Sequence, residues 1–334
     1  IWDMKKKIFF LSRDSFGEKP LFFLKNKKNF YFGSEVKYIK TLLNKKLEVN
    51  QELIKKSLLY GYKSIHKNNQ TYFKNIYSVN PGESLILDYK LNLKVKKIEN
   101  FNPRKIKENN KLKDKHIINN IKNLVVKSVK ETTVSDVPVA ISLSSGIDSS
   151  VILGILSKKL KLNIKAFSLI DRGKYNEKYL IEKNVKKNKI SCDYVDIDYS
   201  EFISKLKSII DYQDQPISTI TYFAQNQLMK EVSKKKYKVI LSGSGADEMF
   251  AGYYDHFRQL ATSLNKKQIN EYFLYWKKFY LTKINNKRLK NFFHYKKNPR
   301  DKTLIYDYND KINSYIKFNY KYQITEKKFY KSLL

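Results

Sequence analysis

Cysteine is all but absent. A single residue, Cys192, in a chain of 334 excludes an intrachain disulfide and leaves too few thiolates for a cysteine zinc site. No uncharged apolar run is long enough to span a bilayer. The opening Ile1-Trp2-Asp3-Met4, followed by lysines, lacks the pattern of a secretory signal. These absences predict a cytoplasmic protein with no membrane partner. Acidic residues are also short, since 32 against 67 basic ones leave a formal charge of +35. Such a surplus suits nucleic-acid binding. Arginine, however, is rare, and lysine travels with asparagine, isoleucine and tyrosine, which share A/T-rich codons. Genomic base composition explains that bias without a partner. The lysines are also dispersed, as in Lys5-Lys6-Lys7, Lys186-Lys187 and Lys234-Lys235-Lys236, the pattern of solvated faces. No specific nucleic-acid partner is expected.

What is present suffices for two domains, because 334 residues at 42% hydrophobic content can bury two cores. Residues 1–98 read as β-rich. Ile8–Leu11 is a strand, Leu21–Leu24 and Phe30–Phe32 flank a hairpin turn, and short helices follow near 35–43 and 51–60. Asn80-Pro81-Gly82-Glu83 is a turn before the strand Ser84–Asp88. Residues 99–115 are polar and weakly periodic, a linker. From 116 to 334 the period changes. Ile117, Ile118, Ile121, Leu124, Val125 and Val129 share a helical face. Strands at 137–143, 163–170, 192–198 and 237–243 then alternate with helices at 148–160, 176–189, 201–212, 220–235 and 247–264. That alternation predicts an α/β fold with a doubly wound parallel sheet and ligands at the carboxyl ends of its strands. Phe273, Trp276, Phe279 and Tyr280 lie at helical spacing and read as core.

Two turns carry the chemistry. Residues 139–150, Val-Ala-Ile-Ser-Leu-Ser-Ser-Gly-Ile-Asp-Ser-Ser, read as a buried strand, a small-residue turn and a helix start. Ser144, Ser145 and Gly146 let backbone N–H groups approach an anion, and the helix dipole adds partial positive charge. Asp148 falls beside that anion, where a phosphate site needs a metal ligand. No lysine closes the turn, so it is not a Walker loop. The turn alone also fits a serine-rich cap with no ligand. The second segment, Ser242-Gly243-Ser244-Gly245-Ala246-Asp247-Glu248, again leads from a strand through glycines to acidic residues at a helix start. Asp247 and Glu248 there suit the helix dipole alone. Two such turns on one edge of a parallel sheet can instead share a cation, and Mg²⁺ takes one or two carboxylates plus phosphate oxygens. Asp148 and Asp247 are the expected metal pair.

The first turn resembles the Ser-Gly-Gly-x-Asp-Ser pyrophosphate loop of the ATP pyrophosphatases, with Ser145 in place of the second glycine. Both turns together, with Ile1-Trp2-Asp3, Ser12-Arg13-Asp14-Ser15-Phe16-Gly17-Glu18-Lys19-Pro20-Leu21, Phe32-Gly33-Ser34-Glu35-Val36-Lys37 and Asn80-Pro81-Gly82, resemble the glutamine-hydrolysing asparagine synthetase family over nearly the whole length. The resemblance implies the later part of an Ntn-type αββα glutaminase domain, truncated, followed by an ATP-pyrophosphatase domain. It implies a ligase using ATP and Mg²⁺. Aspartate would be adenylated with release of pyrophosphate, and ammonia drawn from glutamine would displace AMP. Carried over by position, Ser144, Ser145, Gly146, Asp148, Ser149 and Ser150 hold pyrophosphate and metal. Ser142, Leu143, Leu169, Ser242 and Gly243 contact adenosine, largely through backbone. Asp148, Asp247 and Glu248 carry the catalytic role. A homodimer is the assembly considered. Tyr175-Asn176-Glu177 resembles a Tyr-Asp-Glu segment of the family with no assigned role.

Three departures qualify that picture. Family members use an N-terminal cysteine, activated by its own amine, as glutaminase nucleophile, whereas this sequence starts at Ile1 and Cys192 lies in the other domain. The chain is therefore expected to be an internal fragment without glutaminase activity, lacking the family's start and its later C-terminal segments. Ser244 stands where many members carry an acidic residue, which leaves Glu248 or a residue beyond Leu334 as the candidate base and the acceptor carboxylate open. Alternatives are a relative acting on a cell-surface sugar acid or forming a β-lactam, a tRNA-modifying ATP pyrophosphatase, and a non-catalytic remnant. Arg13 and Asp14 also fit a plain structural ion pair.

Overall fold

The computed structural model describes residues 1–60, 69–97, 114–173, 176–253, 256, 260 and 264–279. The first half is antiparallel. One sheet has the order β1 (Trp2–Asp3), β2 (Ile8–Ser12), β6 (Glu83–Asp88), β7 (Leu93–Lys97). The other has the order β4 (Phe30–Gly33), β3 (Phe22–Lys25), β5 (Tyr77–Ser78). The β3–β4 hairpin closes because Asn26 Oδ1 accepts the N–H groups of Lys28 and Asn29 at 2.9 and 2.7 Å. Alternation along β3 builds two layers. Phe23 points into a core with Leu11, Val79 and Leu85, between the two sheets. Leu24 points the other way, onto Val36 and Ile39 of helix α1 (Val36–Leu43). Helix α2 (Gln51–Tyr60) follows and buries Leu53.

Helix α3 (Asp114–Thr132) opens the second half, beginning inside the expected linker, whose residues 99–113 lie outside the described ones. Its predicted apolar stripe is only partly used. Val129 reaches the sheet core, while Ile118 and Leu124 are exposed. The sheet beyond is parallel, with order β10 (Ser191–Asp196), β9 (Lys165–Ile170), β8 (Val139–Ser142), β11 (Val239–Leu241). Both faces are covered, which is why its strands read as near-continuous apolar runs. Ile141 packs with Leu153 and Leu156 from the helical segment after β8, and with Ile181. Ala140 and Phe167 face the other way, onto Leu228 and Val232. Phe167 and Ile141 are fully buried, worth roughly 1.5–3 kcal/mol each.

The connecting helices are α4 (Ile147–Gly154), α5 (Lys178–Asn188), α6 (Phe202–Gln213) and α7 (Thr221–Lys234). One π-helical turn, Ile155–Lys159, extends α4. From β8 the chain steps outward to β9 and β10, then returns to place β11 on the other side of β8. That reversal makes a topological switch point between β8 and β11, the crevice where open parallel sheets bind ligands.

The helix expected over 247–264 is corrected to a broken one: α8 (Ala246–Phe250) stops at Ala251, His256 and Leu260 are again helical, and 254–255, 257–259 and 261–263 lie outside the described residues. Ala251 adopts the left-handed conformation (φ 56°), and the Gly252 N–H closes back on the Asp247 carbonyl at 2.9 Å. Helix α9 (Lys266–Phe279) buries Phe273 and Trp276, as a core stripe should, while Phe279 is half exposed and Tyr280 lies outside the described residues. The lysine triplets at 5–7 and 234–236 and the pair at 186–187 are exposed.

Lys37 joins the two halves. Its backbone N–H donates to Asp214 Oδ2 at 3.0 Å, and its ammonium donates to the Tyr212 carbonyl at 2.6 Å. The same ammonium lies over the Tyr212 ring at 4.1 Å and pairs with Glu35 at 2.7 Å.

Candidate active site

The first turn hangs from the centre of the sheet. Leu143 donates its N–H to the Phe167 carbonyl at 2.8 Å and accepts the hydroxyl of fully buried Ser168 at 2.7 Å. Both backbone groups of Leu143 are thereby engaged with β9, and its side chain sits in the core beside Leu153. Leu143 thus anchors the turn. Ser142, just before it, is half-buried at the end of β8.

Past Leu143 the serines knit the turn to α4. Buried Ser149 lies 3.0 Å from the Ser144 hydroxyl, and its Oγ accepts the Ser144 N–H at 3.2 Å. The Gly146 N–H donates to Ser144 Oγ at 3.2 Å. Ser150 donates to the Gly146 carbonyl at 2.8 Å and accepts from Asn184 at 2.8 Å. No side chain caps α4, and Asp148 stands in its first turn. Ser145 is held differently. Its hydroxyl donates to Glu177 Oε2 at 2.7 Å, and its N–H points to the same oxygen at 3.4 Å.

The second turn packs directly on the first. A Cβ placed on Gly243 would lie 2.8 Å from Asp148 Cβ and 2.8 Å from the Ser149 nitrogen. Only glycine lets β11 deliver its turn this close to α4. Ser244 donates its N–H to Ser242 Oγ at 3.2 Å and is itself exposed. Gly245, at φ 98°, turns the chain into α8, whose first turn carries Asp247 and Glu248. Leu169 packs its side chain on the α7 face with Phe167.

Tyr253 feels acids from both turns. Tyr253 Oη donates to Glu248 Oε1 at 2.9 Å. The Glu248 carboxyl is held below its ordinary value, first by a backbone N–H and then by that phenol. The Tyr253 phenol is pushed up, first by Glu248 and further by the fields of Asp247 and Asp148. One hydroxyl therefore senses all three acids. Among the described residues no cluster of three or more His, Cys, Asp or Glu side chains forms a metal cage. Two carboxylates on one edge, beside a turn able to take phosphate oxygens, are the donor set that Mg²⁺ uses with a nucleotide.

Cys192 lies in β10, away from both turns. Its thiol is pushed up to about 11, chiefly by burial. That environment suits a buried hydrophobe and not a nucleophile. The close Gly243–Asp148 approach, the Tyr253 link and the Ser145–Glu177 bond escape sequence reading. Each joins residues whose separation carries no periodic signal, although Tyr253 and Glu177 stand in motifs the sequence already displays.

Comparison with known proteins agrees with this architecture. The asparagine synthase family model matches residues 120–320, and the glutamine amidotransferase domain model matches residues 1–97. A Methanocaldococcus jannaschii protein, provisionally named glutamine-hydrolysing asparagine synthetase 2, is 30% identical over 77% of this chain and 49% of its own length. The Bacillus subtilis glutamine-hydrolysing asparagine synthetase 1 is 27% identical over 76% of this chain and 39% of its own. The amidase chyE of Penicillium rubens is 25% identical over 77% of this chain and 39% of its own. The chain thus spans under half the length of each of these relatives. The family match covers more than half of the chain and takes in the switch-point crevice with both its turns, so this protein belongs to the asparagine synthase family.

Proposed function

We propose that the chain is part of an ATP-dependent amide-forming ligase with aspartate as the carboxylate it activates. The observation that carries this reading is the contact of Gly243 with Asp148, which seats the two turns against each other at the switch point. In this reading Ser144, Ser145, Gly146, Ser149 and Ser150 cradle the pyrophosphate of ATP, and backbone at Ser142, Leu169, Ser242 and Gly243 borders the adenosine. Asp148 and Asp247 would hold Mg²⁺, which neutralises charge on the leaving pyrophosphate. The aspartate β-carboxylate attacks the α-phosphorus, the α–β bridging bond breaks, and pyrophosphate departs. Ammonia then attacks the acyl carbon, AMP leaves, and Glu248 takes the surplus proton. Its backbone and Tyr253 contacts keep Glu248 ionised and ready to accept, and they also make it a weaker base than a free carboxylate.

Residues 1–97 supply part of an amidotransferase unit, and glutamine is the proposed ammonia source for the whole protein. This chain by itself should release no glutamate from glutamine, because its sole cysteine is a half-buried, protonated thiol in β10. The decisive assay is pyrophosphate–ATP exchange in the presence of a panel of carboxylates with ammonium as nitrogen donor. Exchange that depends on aspartate and disappears in Asp148→Ala supports the reading. Exchange indifferent to aspartate but dependent on a sugar acid moves the acceptor to another carboxylate.

A further inference from the structure

We propose that Glu177 is an internal counter-anion of the pyrophosphate turn, which an incoming phosphate group must displace, and that it sets the affinity and charge selectivity of that site. The inference rests on the assignment of the 144–150 turn to pyrophosphate. It goes beyond that assignment by naming what the turn binds when no ligand is there.

The turn's donors divide into two kinds. The N–H groups of Ser144 and Gly146 are spent on serine oxygens inside the turn. The Ser149 and Ser150 hydroxyls donate to backbone carbonyls at its edge. Ser145 alone turns both its hydroxyl and its N–H toward a carboxylate 32 residues away. A single oxygen receives both donors, as an oxygen of a bound phosphate would.

Glu177 has no competing duty at its own position. It precedes α5 without capping it by a side-chain bond. The Lys178 N–H is served instead by Asn176 Oδ1 at 3.0 Å. Glu177 is exposed, so its carboxylate can leave Ser145 for water without unmaking α5 or the core. A carboxylate so placed competes with any anion for Ser145 and repels it while it stays. The repulsion grows with ligand charge, so the penalty is greater for pyrophosphate than for inorganic phosphate.

The test is calorimetric titration of the 334-residue chain with inorganic pyrophosphate and with inorganic phosphate, at fixed magnesium. Glu177→Gln should bind pyrophosphate about 10-fold more tightly than the parent, near 1.4 kcal/mol, with a smaller gain for phosphate. Ser145→Ala should weaken pyrophosphate binding and erase the gain from Glu177→Gln, because the carboxylate acts through that serine. Glu177→Ala repeats the comparison if the glutamine variant folds poorly. Equal or weaker pyrophosphate binding in both Glu177 variants overturns the proposal and leaves the turn's assignment standing. A chain that takes no pyrophosphate, with or without Glu177, overturns that assignment and the proposal together.

Discussion

Two polar turns, one in each half, are closed in opposite ways. The turn at 13–19 saturates itself. Arg13 donates to the carbonyls of Lys19, Val79 and Gly17 at 2.9, 2.7 and 2.9 Å, and to Ser78 at 3.1 Å. Asp14 accepts the N–H groups of Phe16, Glu18 and Lys19 at 3.0, 2.9 and 3.2 Å, which holds its carboxyl below the ordinary value. The two side chains thus bind backbone rather than pairing with each other as a simple ion pair. Gly17, at φ 68°, completes the turn, and a Cβ there would meet Pro81 at 2.8 Å. The turn at 144–150 is knit at its base but leaves Ser145 bound to an exposed, replaceable carboxylate. A polar turn whose donors end on its own backbone and on the neighbouring β5 segment is scaffold. One that parks a donor on a distant acid is ready to exchange it.

The largest expected effect separates these roles. Arg13→Ala removes four charge-assisted bonds, three of them half-buried, and should cost about 2–4 kcal/mol of stability. Below its melting temperature its ATP exchange should match the parent's. Ser145→Ala should change stability by less than about 0.5 kcal/mol, as surface substitutions do, while weakening pyrophosphate binding. Denaturant titration alongside exchange kinetics checks both. A Ser145 variant that unfolds as readily as the Arg13 variant would erase the contrast.

Gly243→Ala sharpens it further. The added methyl would press on Asp148 Cβ and the Ser149 nitrogen, both at 2.8 Å. Overpacking of this kind costs about 1–3 kcal/mol, and here it also pries the second turn off the first. The variant should lose nucleotide affinity out of proportion to its drop in melting temperature. Gly33, whose Cβ would approach Tyr38 Cβ at 3.2 Å in the other half, provides the control, since Gly33→Ala should lower stability without touching exchange.

Much of the scaffold was legible because local patterns report burial. The four parallel strands follow their apolar runs to within a few residues, and the β3–β4 hairpin follows its asparagine turn. The long helix expected after Gly245 failed where Ala251 turns left-handed, a break that its composition does not announce. The α3 stripe reads as a core face, yet only its C-terminal end reaches the described core. In the site, the two acidic turns could be paired from the strand alternation alone. The partners of Ser145 and Lys37 could not, because contacts across 32 and 177 residues depend on how helices are set on the sheet.

Cys192 extends the comparison to reactivity. Folded, its thiol holds its proton to about 11, so almost no thiolate exists at pH 8. Alkylation by iodoacetamide should be far slower in the native chain than in denaturant. The folded state keeps that proton where the unfolded chain loses it. Stability should therefore fall as pH rises from about 9 toward 11. Rapid native labelling at pH 8 would show the thiol is not shielded.

The smallest expected effect lies at the joint between the halves, where Asp14 has a counterpart of opposite sign. Burial raises the Asp214 carboxyl above its ordinary value, against the lowering effect of the Lys37 N–H and ammonium. Glu35 adds to the rise and Lys40 opposes it. A raised acid favours the protonated form in the fold. Its ionisation therefore subtracts stability, beginning near the unfolded value of 3.8 and complete above the folded one. Asp214→Asn keeps an acceptor for the Lys37 N–H and removes the charge. Below pH 3 the parent and the variant should melt alike. Above pH 6 the variant should be the more stable, by under roughly 1 kcal/mol because the site is partly screened by water. Asp14→Asn should show the reverse slope, losing ground to the parent as pH rises, because its carboxylate is favoured by three backbone N–H groups. Melting curves of the three proteins between pH 3 and 7 measure both slopes at once. If Asp214→Asn falls behind the parent at neutral pH, the Lys37 attraction outweighs burial and the joint is an ion pair rather than a buried acid held by a backbone amide.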